Sequence, residues 1–266
     1  MIKQIAAPFL LGLSGLVFIS CGILPTGTGD EESGTVYLWI GADKDTYVSA
    51  RESNRNFGGN GFLVVAGNQD LSIIKRSYVH FLIPNLPEGT EIEEAYLELY
   101  HPGKNEDGKR DDISIPVVRA VKNWSPLTMT YDDQPNSFPS SHEFSLNLRS
   151  QAWSGSDDIV SLVRQIFDNP DTFHGFVLFW PDVQLLGIEK GFYSNNSQDR
   201  TAGDMGRSPR LLVKVTLPDG KSTDDITLPP FPSDNDLEFD GQDVQMLRYA
   251  GGDDWPEDWN VAVTKG

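Results

Sequence analysis

The strongest constraint on the fold is an alternation of apolar and polar residues on both sides of a turn, within residues 76–100. The apolar positions are Val79, Phe81 and Ile83 before the turn, and Ala95, Leu97 and Leu99 after it. Between them, residues 84–89 contain the Pro and Gly that are typical of turns. This period-two pattern predicts two β-strands, each with one apolar face that a second layer must bury.

Short runs of the same kind continue through the chain and predict further strands. They cover residues 36–40, 47–50, 62–66, 113–121, 175–180, 192–194 and 211–216, with a turn leading into a short strand within 124–131. Pro116 lies inside one of these runs, and a proline in that position indicates an edge strand or a bulge. Many short strands together predict an all-β protein with a two-sheet sandwich.

Only one segment has helical spacing. Its apolar stripe consists of Ile159, Val160, Val163, Ile166 and Phe167. The residues at 156–158, Ser-Asp-Asp, suit a helix start, and Asn169-Pro170 suits a helix end. The sequence therefore predicts one short helix that packs on a sheet edge or closes one end of the domain.

Residues 1–20 predict an export signal. Lys3 precedes an apolar run over residues 5–19, which is too short for an ordinary membrane-spanning helix. Residues 18–21, Phe-Ile-Ser-Cys, resemble a bacterial lipobox, which implies cleavage before Cys21 and a lipid on that cysteine. The alternatives are a signal with an incidental cysteine and an uncleaved anchor helix. Cys21 is the only cysteine, whereas disulfides would need an even number, so lipid attachment is favoured.

Residues 21–34 and 218–266 differ in composition from the chain between them. The first stretch is rich in Gly and Thr and predicts a flexible tether. The second has twelve acidic residues against three basic ones, a net of −9 out of −18, and predicts an acidic tail that is largely disordered or loosely docked. The folded domain is then residues 35–217. Strong acidity argues against nucleic-acid binding, which requires a basic surface.

The order of several short motifs resembles the DNRLRE domain, a family of jelly-roll modules in secreted bacterial and archaeal proteins. The matching pieces are Ala42-Asp43, Asp45-Thr46-Tyr47-Val48, Asn56-Phe57-Gly58, Arg76, Val79-His80-Phe81, Pro87-Glu88-Gly89, Ala95-Tyr96-Leu97-Glu98-Leu99-Tyr100, Trp124, Thr130-Tyr131, Gln134-Pro135, Gly175-Phe176-Val177-Leu178, Phe192-Tyr193-Ser194 and Ser208-Pro209-Arg210-Leu211. The resemblance implies a two-sheet jelly-roll β-sandwich that serves as an accessory domain, with Trp124 in the core. Some members bind polysaccharides such as alginate, and the resemblance implies no catalytic machinery.

The sequence contains no motif of a hydrolytic enzyme. Neither a G-x-S-x-G elbow nor an H-E-x-x-H helix occurs. Two carboxylates held close together would suit glycoside hydrolysis, but adjacent acidic pairs such as Asp111-Asp112 are expected by chance among 39 acidic residues. We therefore predict that the protein is not an enzyme.

A structural calcium ion is the one cofactor that the sequence suggests. Asp43 and Asp45 are two residues apart near a strand start and offer oxygen ligands, the alternative being a solvated turn. Residues 236–241 resemble the start of a calcium loop, but Leu247 stands where the closing glutamate belongs.

Sugar binding needs exposed aromatic faces and polar groups that fix the orientation of the ligand. The aromatic candidates are Trp39, Trp153, Trp180 and Tyr193, and the alternative for each is burial in the core. The basic candidates are Arg51, Arg55, Lys75 and Lys190. These four residues would favour an anionic glycan only if they cluster, because the net charge of the chain is negative.

Taken together, these features predict a lipoprotein of the bacterial cell envelope, at the outer membrane or cell surface, whose β-sandwich binds polysaccharide without catalysis. Its membrane contact would be the lipidated Cys21. The alternative is a structural or adhesive protein that contacts other envelope proteins, for which Trp255 and Trp259 in the acidic tail offer aromatic anchors. A polysaccharide-degrading enzyme is the third hypothesis.

Overall fold

The computed structural model describes residues 34–67, 73–101, 114–135, 143–148, 153–180, 188–195, 207–227, 247–251 and 260–262. Its strands are β1 Thr35–Ser49, β2 Phe62–Gly67, β3 Lys75–Phe81, β4 Glu91–Tyr100, β5 Ser114–Arg119, β6 Phe144–Asn147, β7 Trp153–Ser156, β8 Phe176–Leu178, β9 Ile188–Tyr193, β10 Arg210–Thr216, β11 Leu247–Gly251 and β12 Asn260–Ala262. The α-helix α1 is Val160–Asp168, and the described residues belong to a unit that spans Glu31–Gly266. The prediction of an all-β fold with one short helix is confirmed for this part of the chain.

Eight strands pair antiparallel in a closed ring, in the order β1, β10, β4, β7, β6, β5, β8, β3 and back to β1. Strand β1 closes the ring because its first half pairs with β10 and its second half pairs with β3. The register shifts between Ala42 and Lys44, where the strand changes partner. The prediction of two separate strands at 36–40 and 47–50 is therefore wrong, since the backbone stays extended between them and β1 is continuous. The unbroken ring of pairings is barrel-like, without a clear division into two separate sheets.

The interior of the ring is filled by alternate residues of its strands. Phe81 on β3 and Leu97 on β4 are both 0% exposed and belong to one large core. The alternation within residues 76–100 thus correctly identifies the apolar faces of both strands. Val163 and Ile166 of α1 join the same core.

The helix begins where the sequence predicts it. The Asp158 carboxylate accepts hydrogen bonds from the backbone N–H of Val160 at 3.0 Å and from that of Ala95 at 3.1 Å. One oxygen therefore both satisfies an end group of the helix and ties the helix to β4. The helix ends at Asp168, before Asn169-Pro170, and the predicted apolar stripe is confirmed as its buried side.

Two predicted elements differ in the structure. Strand β5 lies between β6 and β8, so it is not an edge strand. Pro116 is tolerated because the ladder with β8 begins only at Val117, while the carbonyl of Pro116 accepts a hydrogen bond from Phe179. Residues 124–131 form turns and no strand, and Trp124, Met129 and Tyr131 of this segment pack on a sheet face.

Two strands lie within the segment that composition predicts to be an acidic tail. Strand β11 pairs with β1 from Val36 to Ile40, and β12 pairs with β11. Closer to the domain, Thr227 forms a bridge with Asn85. These described parts of residues 218–266 are therefore hydrogen-bonded to the domain.

Residues 1–33, including Cys21, lie outside the described residues, as do Asp236, Trp255 and Trp259. In the part of the chain that the structure describes, no helix has both the length and the apolarity to cross a membrane.

Candidate functional site

One outer face of the ring is covered by the segment 121–135, which we call the cover. Tyr78 on β3 faces away from the main core and forms a second apolar cluster with Trp124 and Met129 of the cover. The indole N–H of Trp124 donates to the carbonyl of His174 at 2.7 Å, and Trp124 is 7% exposed. Trp124 is therefore a core residue, as the resemblance implied, and this face is closed to a ligand.

Polar side chains fix the cover to the ring. The side-chain oxygen of Gln134 accepts hydrogen bonds from the Tyr78 hydroxyl at 3.0 Å and from Arg76 at 3.2 Å. The Asn56 amide donates to the carbonyl of Pro126 at 2.8 Å. Burial raises the pKa of Tyr78, so its hydroxyl stays protonated and remains a donor. Short motifs that are far apart in sequence thus meet under the cover.

The outer face on the opposite side of the ring carries residues of β1, β10 and β4. Trp39, Leu212 and Tyr96 are paired across these three strands and pack in a third apolar cluster. Beside them, Arg210 is paired with Glu98. All five residues alternate with core residues of their own strands, so they share the outer face.

Arg210 is held by contacts with three neighbouring side chains. Its guanidinium carbon lies 4.5 Å from the ring centre of Trp39 and 3.6 Å from that of Trp153 on β7. The Glu98 carboxylate accepts hydrogen bonds from its Nη2 at 2.6 Å and from its Nε at 2.7 Å. The side chain of Arg210 is 15% exposed and that of Glu98 is 21% exposed. The guanidinium therefore packs against two indoles that meet edge to face at 6.4 Å, and its charge is balanced by a carboxylate.

Further rings continue from Trp153 towards β9 and β2. The ring centres of Trp153 and Tyr100 are 5.5 Å apart, those of Tyr100 and Tyr193 are 5.8 Å apart, and those of Tyr193 and Phe62 are 5.1 Å apart. The guanidinium of Arg207 lies 4.6 Å from the centre of Tyr100 and 5.5 Å from that of Tyr193. Phe62 is 46% exposed, and Arg207 is exposed as well.

This series forms one connected surface, which we call the arginine–aromatic strip. Its members are Arg210, Trp153, Tyr100, Arg207, Tyr193 and Phe62. Aromatic rings supply apolar contact area, and guanidinium groups supply N–H donors in a fixed plane. The strip can therefore bind a ligand that combines apolar ring faces with oxygen acceptors.

The structure separates the four aromatic candidates of the sequence. Trp153 and Tyr193 belong to the strip, and Trp39 lies beneath Arg210 with 5% of its surface exposed. Trp180 is 3% exposed and sits in the main core, so it is not a ligand-facing residue. Its Cβ packs against Gly67, where an added Cβ would come within 2.5 Å.

The four basic candidates lie elsewhere. Lys75 on β3 forms an ion pair with Glu189 at 2.8 Å, and Arg55 forms one with Glu52 at 2.7 Å. Arg51 is exposed in the 3₁₀ turn after β1, and Lys190 is partly exposed on β9. Carboxylates therefore compensate at least two of these charges.

Four strip residues were not among the sequence candidates: Tyr100, Phe62, Arg207 and Arg210. The sequence does contain a signal for Tyr100. The apolar residues of β4 identify the inward face of the strand, and Tyr96, Glu98 and Tyr100 alternate with them, so these three residues face outward. Arg210 lies in a motif of the family resemblance and Arg207 does not, but no sequence pattern indicates the ring contacts of either arginine, because the rings come from β1, β4, β7 and β9.

Asp43 and Asp45 are buried, with 3% and 2% of their surfaces exposed, so they do not form a solvated turn. One oxygen of Asp43 shares a hydrogen bond with the Nδ1 of His80 at 2.6 Å, and one oxygen of Asp45 accepts from the backbone N–H of Asn195 at 2.6 Å. Among the described side chains, no group of three or more His, Cys, Asp or Glu residues could hold a metal ion. Asp43 and Asp45 thus belong to a buried polar cluster, and a structural calcium ion at these residues stays a prediction.

Comparison with known families identifies the class of module. The model of carbohydrate-binding module family 96 matches residues 37–180, which is more than half of the chain. No curated protein matches the sequence. The match supports the predicted carbohydrate-binding module. It includes Phe62, Tyr100 and Trp153 of the strip, and it ends before Tyr193, Arg207 and Arg210.

Proposed function

Because this chain belongs to carbohydrate-binding module family 96, we propose that the arginine–aromatic strip binds polysaccharide. The observation that carries the proposal is the strip itself, in which four rings contact one another at 5.1 to 5.8 Å and two guanidinium groups lie over them. Sugar rings have apolar faces that pack on aromatic rings, and their oxygens accept hydrogen bonds from arginine. The cover closes the opposite face, which leaves the strip as the favoured surface.

We propose further that binding occurs without cleavage. Glycoside hydrolysis uses two carboxylates placed on either side of the scissile bond. Two described glutamates on the outer face of β4 are engaged in other ways: Glu98 pairs with Arg210, and Glu94 accepts from Tyr96 and pairs with Lys214. An ion pair keeps a carboxylate ionised, so it is poorly suited to act as the general acid, which supports a binding module.

The wider context of the proposal is a lipoprotein of the cell envelope. A lipid on Cys21 would anchor the chain at the outer membrane or cell surface, with the module displayed to polysaccharide. A jelly roll of the DNRLRE type has two layers, and in this proposal each layer is a set of neighbouring strands of the ring. The change of partner along β1 supports this, since such a strand contributes to both layers.

The proposal is tested by titrating the full-length protein against a panel of neutral and acidic polysaccharides, with calcium and with a chelator. We expect saturable binding to at least one glycan and no release of reducing ends or unsaturated products. Absence of binding across the panel, together with capture of an envelope protein, would favour the adhesive alternative. Release of reducing ends would instead show that the protein is an enzyme.

A further inference from the structure

We infer that the two arginines of the strip have different tasks: Arg207 contacts the polysaccharide, whereas Arg210 is a positioning residue that holds Trp153 in place. This inference rests on the proposed function for its Arg207 part only. Both residues lie beyond residues 37–180, so the family match assigns neither of them a task.

The surroundings of Arg210 leave its guanidinium little freedom. Trp39 and Trp153 lie at 4.5 and 3.6 Å, and Glu98 accepts from two of its nitrogens. A ligand that took these N–H groups would have to break the ion pair and leave a partly buried carboxylate without its partner, which is costly. Arg210 is therefore better placed to stabilise its neighbours than to bind a ligand.

Trp153 contacts Arg210 at 3.6 Å and Trp39 edge to face at 6.4 Å. It is the first residue of β7, which has only four residues and pairs with the end of β4. Its indole also meets Tyr100 edge to face at 5.5 Å. Stacking of Arg210 on Trp153 thus fixes the indole and, through it, the adjoining ring of the strip.

Arg207 differs from Arg210 in its exposure. It is exposed, and it lies just before β10, where its guanidinium is over Tyr100 and Tyr193 in the middle of the strip. A guanidinium has five N–H donors, which suit the oxygen acceptors of a sugar. A glycan lying along the rings would pass the guanidinium of Arg207, where its oxygens can accept hydrogen bonds.

The test combines binding with a spectrum of the free protein. The full-length chain carrying R207K, R210K, W153F, or R210K with W153F is titrated with the polysaccharide that binds best in the panel. We expect R207K to weaken binding about tenfold, since hydrogen bonds to charged groups are lost, with the tryptophan bands of the near-ultraviolet circular dichroism unchanged. We expect R210K to weaken binding and to change those tryptophan bands without ligand.

A double-mutant cycle separates positioning from direct contact. If Arg210 acts through Trp153, the effect of R210K on affinity becomes small once W153F is present, so the two effects are not additive. Thermal melts confirm folding of each variant. E98Q, which keeps the guanidinium and removes its carboxylate partner, replaces R210K if that variant does not fold, with the same expected change in the tryptophan bands.

Three results would overturn the inference: wild-type affinity in R207K, unchanged tryptophan bands in R210K, or full additivity of R210K and W153F. If the wild type binds no polysaccharide, the proposed function fails and the task of Arg207 fails with it. The spectrum of R210K in the free protein would then still decide the positioning task of Arg210.

Discussion

The guanidinium carbon of Arg210 lies 3.6 Å from the ring centre of Trp153, although β10 and β7 are separated in the ring by β4. The contact is possible because Arg210, Glu98 and Gly155 are paired in one row across the three strands. Gly155 presents no side chain in that row, so Arg210 can reach Trp153 over the ion pair with Glu98.

Trp153→Ala should weaken polysaccharide binding by about 2 kcal/mol, or about thirtyfold, because large aromatic residues supply a major share of binding energy at such sites. Isothermal titration calorimetry with the best glycan measures the change. Leu127→Ala is the matched control, since Leu127 is 49% exposed on the cover and should leave affinity unchanged. Equal affinities of W153A and the wild type would remove the strip as the binding surface.

Gly58→Ala should lower the free energy of unfolding by about 1–3 kcal/mol, since overpacking of a closely packed site costs that much. A Cβ at Gly58 would overlap the carbonyl of Pro126, which also accepts the Asn56 hydrogen bond. The neighbouring Gly59 has no atom within 4 Å of such a Cβ, so Gly59→Ala is the control. Urea unfolding compares them, and equal stabilities would show that the cover is not anchored here.

Gln134→Ala should destabilise the protein by about 1–3 kcal/mol, because its loss deprives the buried Tyr78 hydroxyl of an acceptor. Tyr78→Phe removes the donor and leaves Gln134 with Arg76, so it should cost less. Chemical denaturation of both single variants and the double variant measures their coupling. A larger loss in Y78F than in Q134A would contradict this account.

Leu97→Ala should cost about 2–5 kcal/mol of unfolding free energy, since Leu97 is 0% exposed and its truncation leaves a cavity in the main core. Val121→Ala, at a site 52% exposed, should change stability by no more than about 0.5 kcal/mol. Thermal and urea unfolding report both. A small effect of L97A would mean that the core collapses around the missing side chain.

Stability should fall as the pH rises from about 10 to about 12. Burial, followed by the hydrogen bond to Glu94, raises the pKa of Tyr96 to about 12 from 10.0, so the folded state keeps this proton where the unfolded state loses it. The stabilisation is complete below pH 10 and is lost as the pH passes through the folded pKa. Tyr96→Phe should reduce the fall, as measured by urea unfolding across this range.

Below pH 10 the hydroxyl is protonated in both states, so the difference between Y96F and the wild type should not vary with pH there. A Y96F variant whose stability follows the wild type throughout the alkaline range would contradict the assignment. Some alkaline loss should remain in Y96F, because burial also raises the pKa of Tyr78.

By itself, the sequence determined the core and the class of fold. Phe81 and Leu97 lie in period-two patterns, which predict strands with one buried face. The apolar residues around Val163 have helical spacing, which predicts a helix. Both predictions follow from local periodicity in the sequence. The order of short motifs pointed to a carbohydrate-binding module, which the family match supports.

Only the tertiary structure decided which outer face stays available. Alternation shows that a strand has two sides, but not that the cover closes one of them or that Trp180 lies in the core and Trp153 on the strip. The strip joins side chains of β2, β4, β7, β9 and β10 with Arg207. Such a surface depends on which strands are neighbours, and the alternation within one strand does not specify its neighbours.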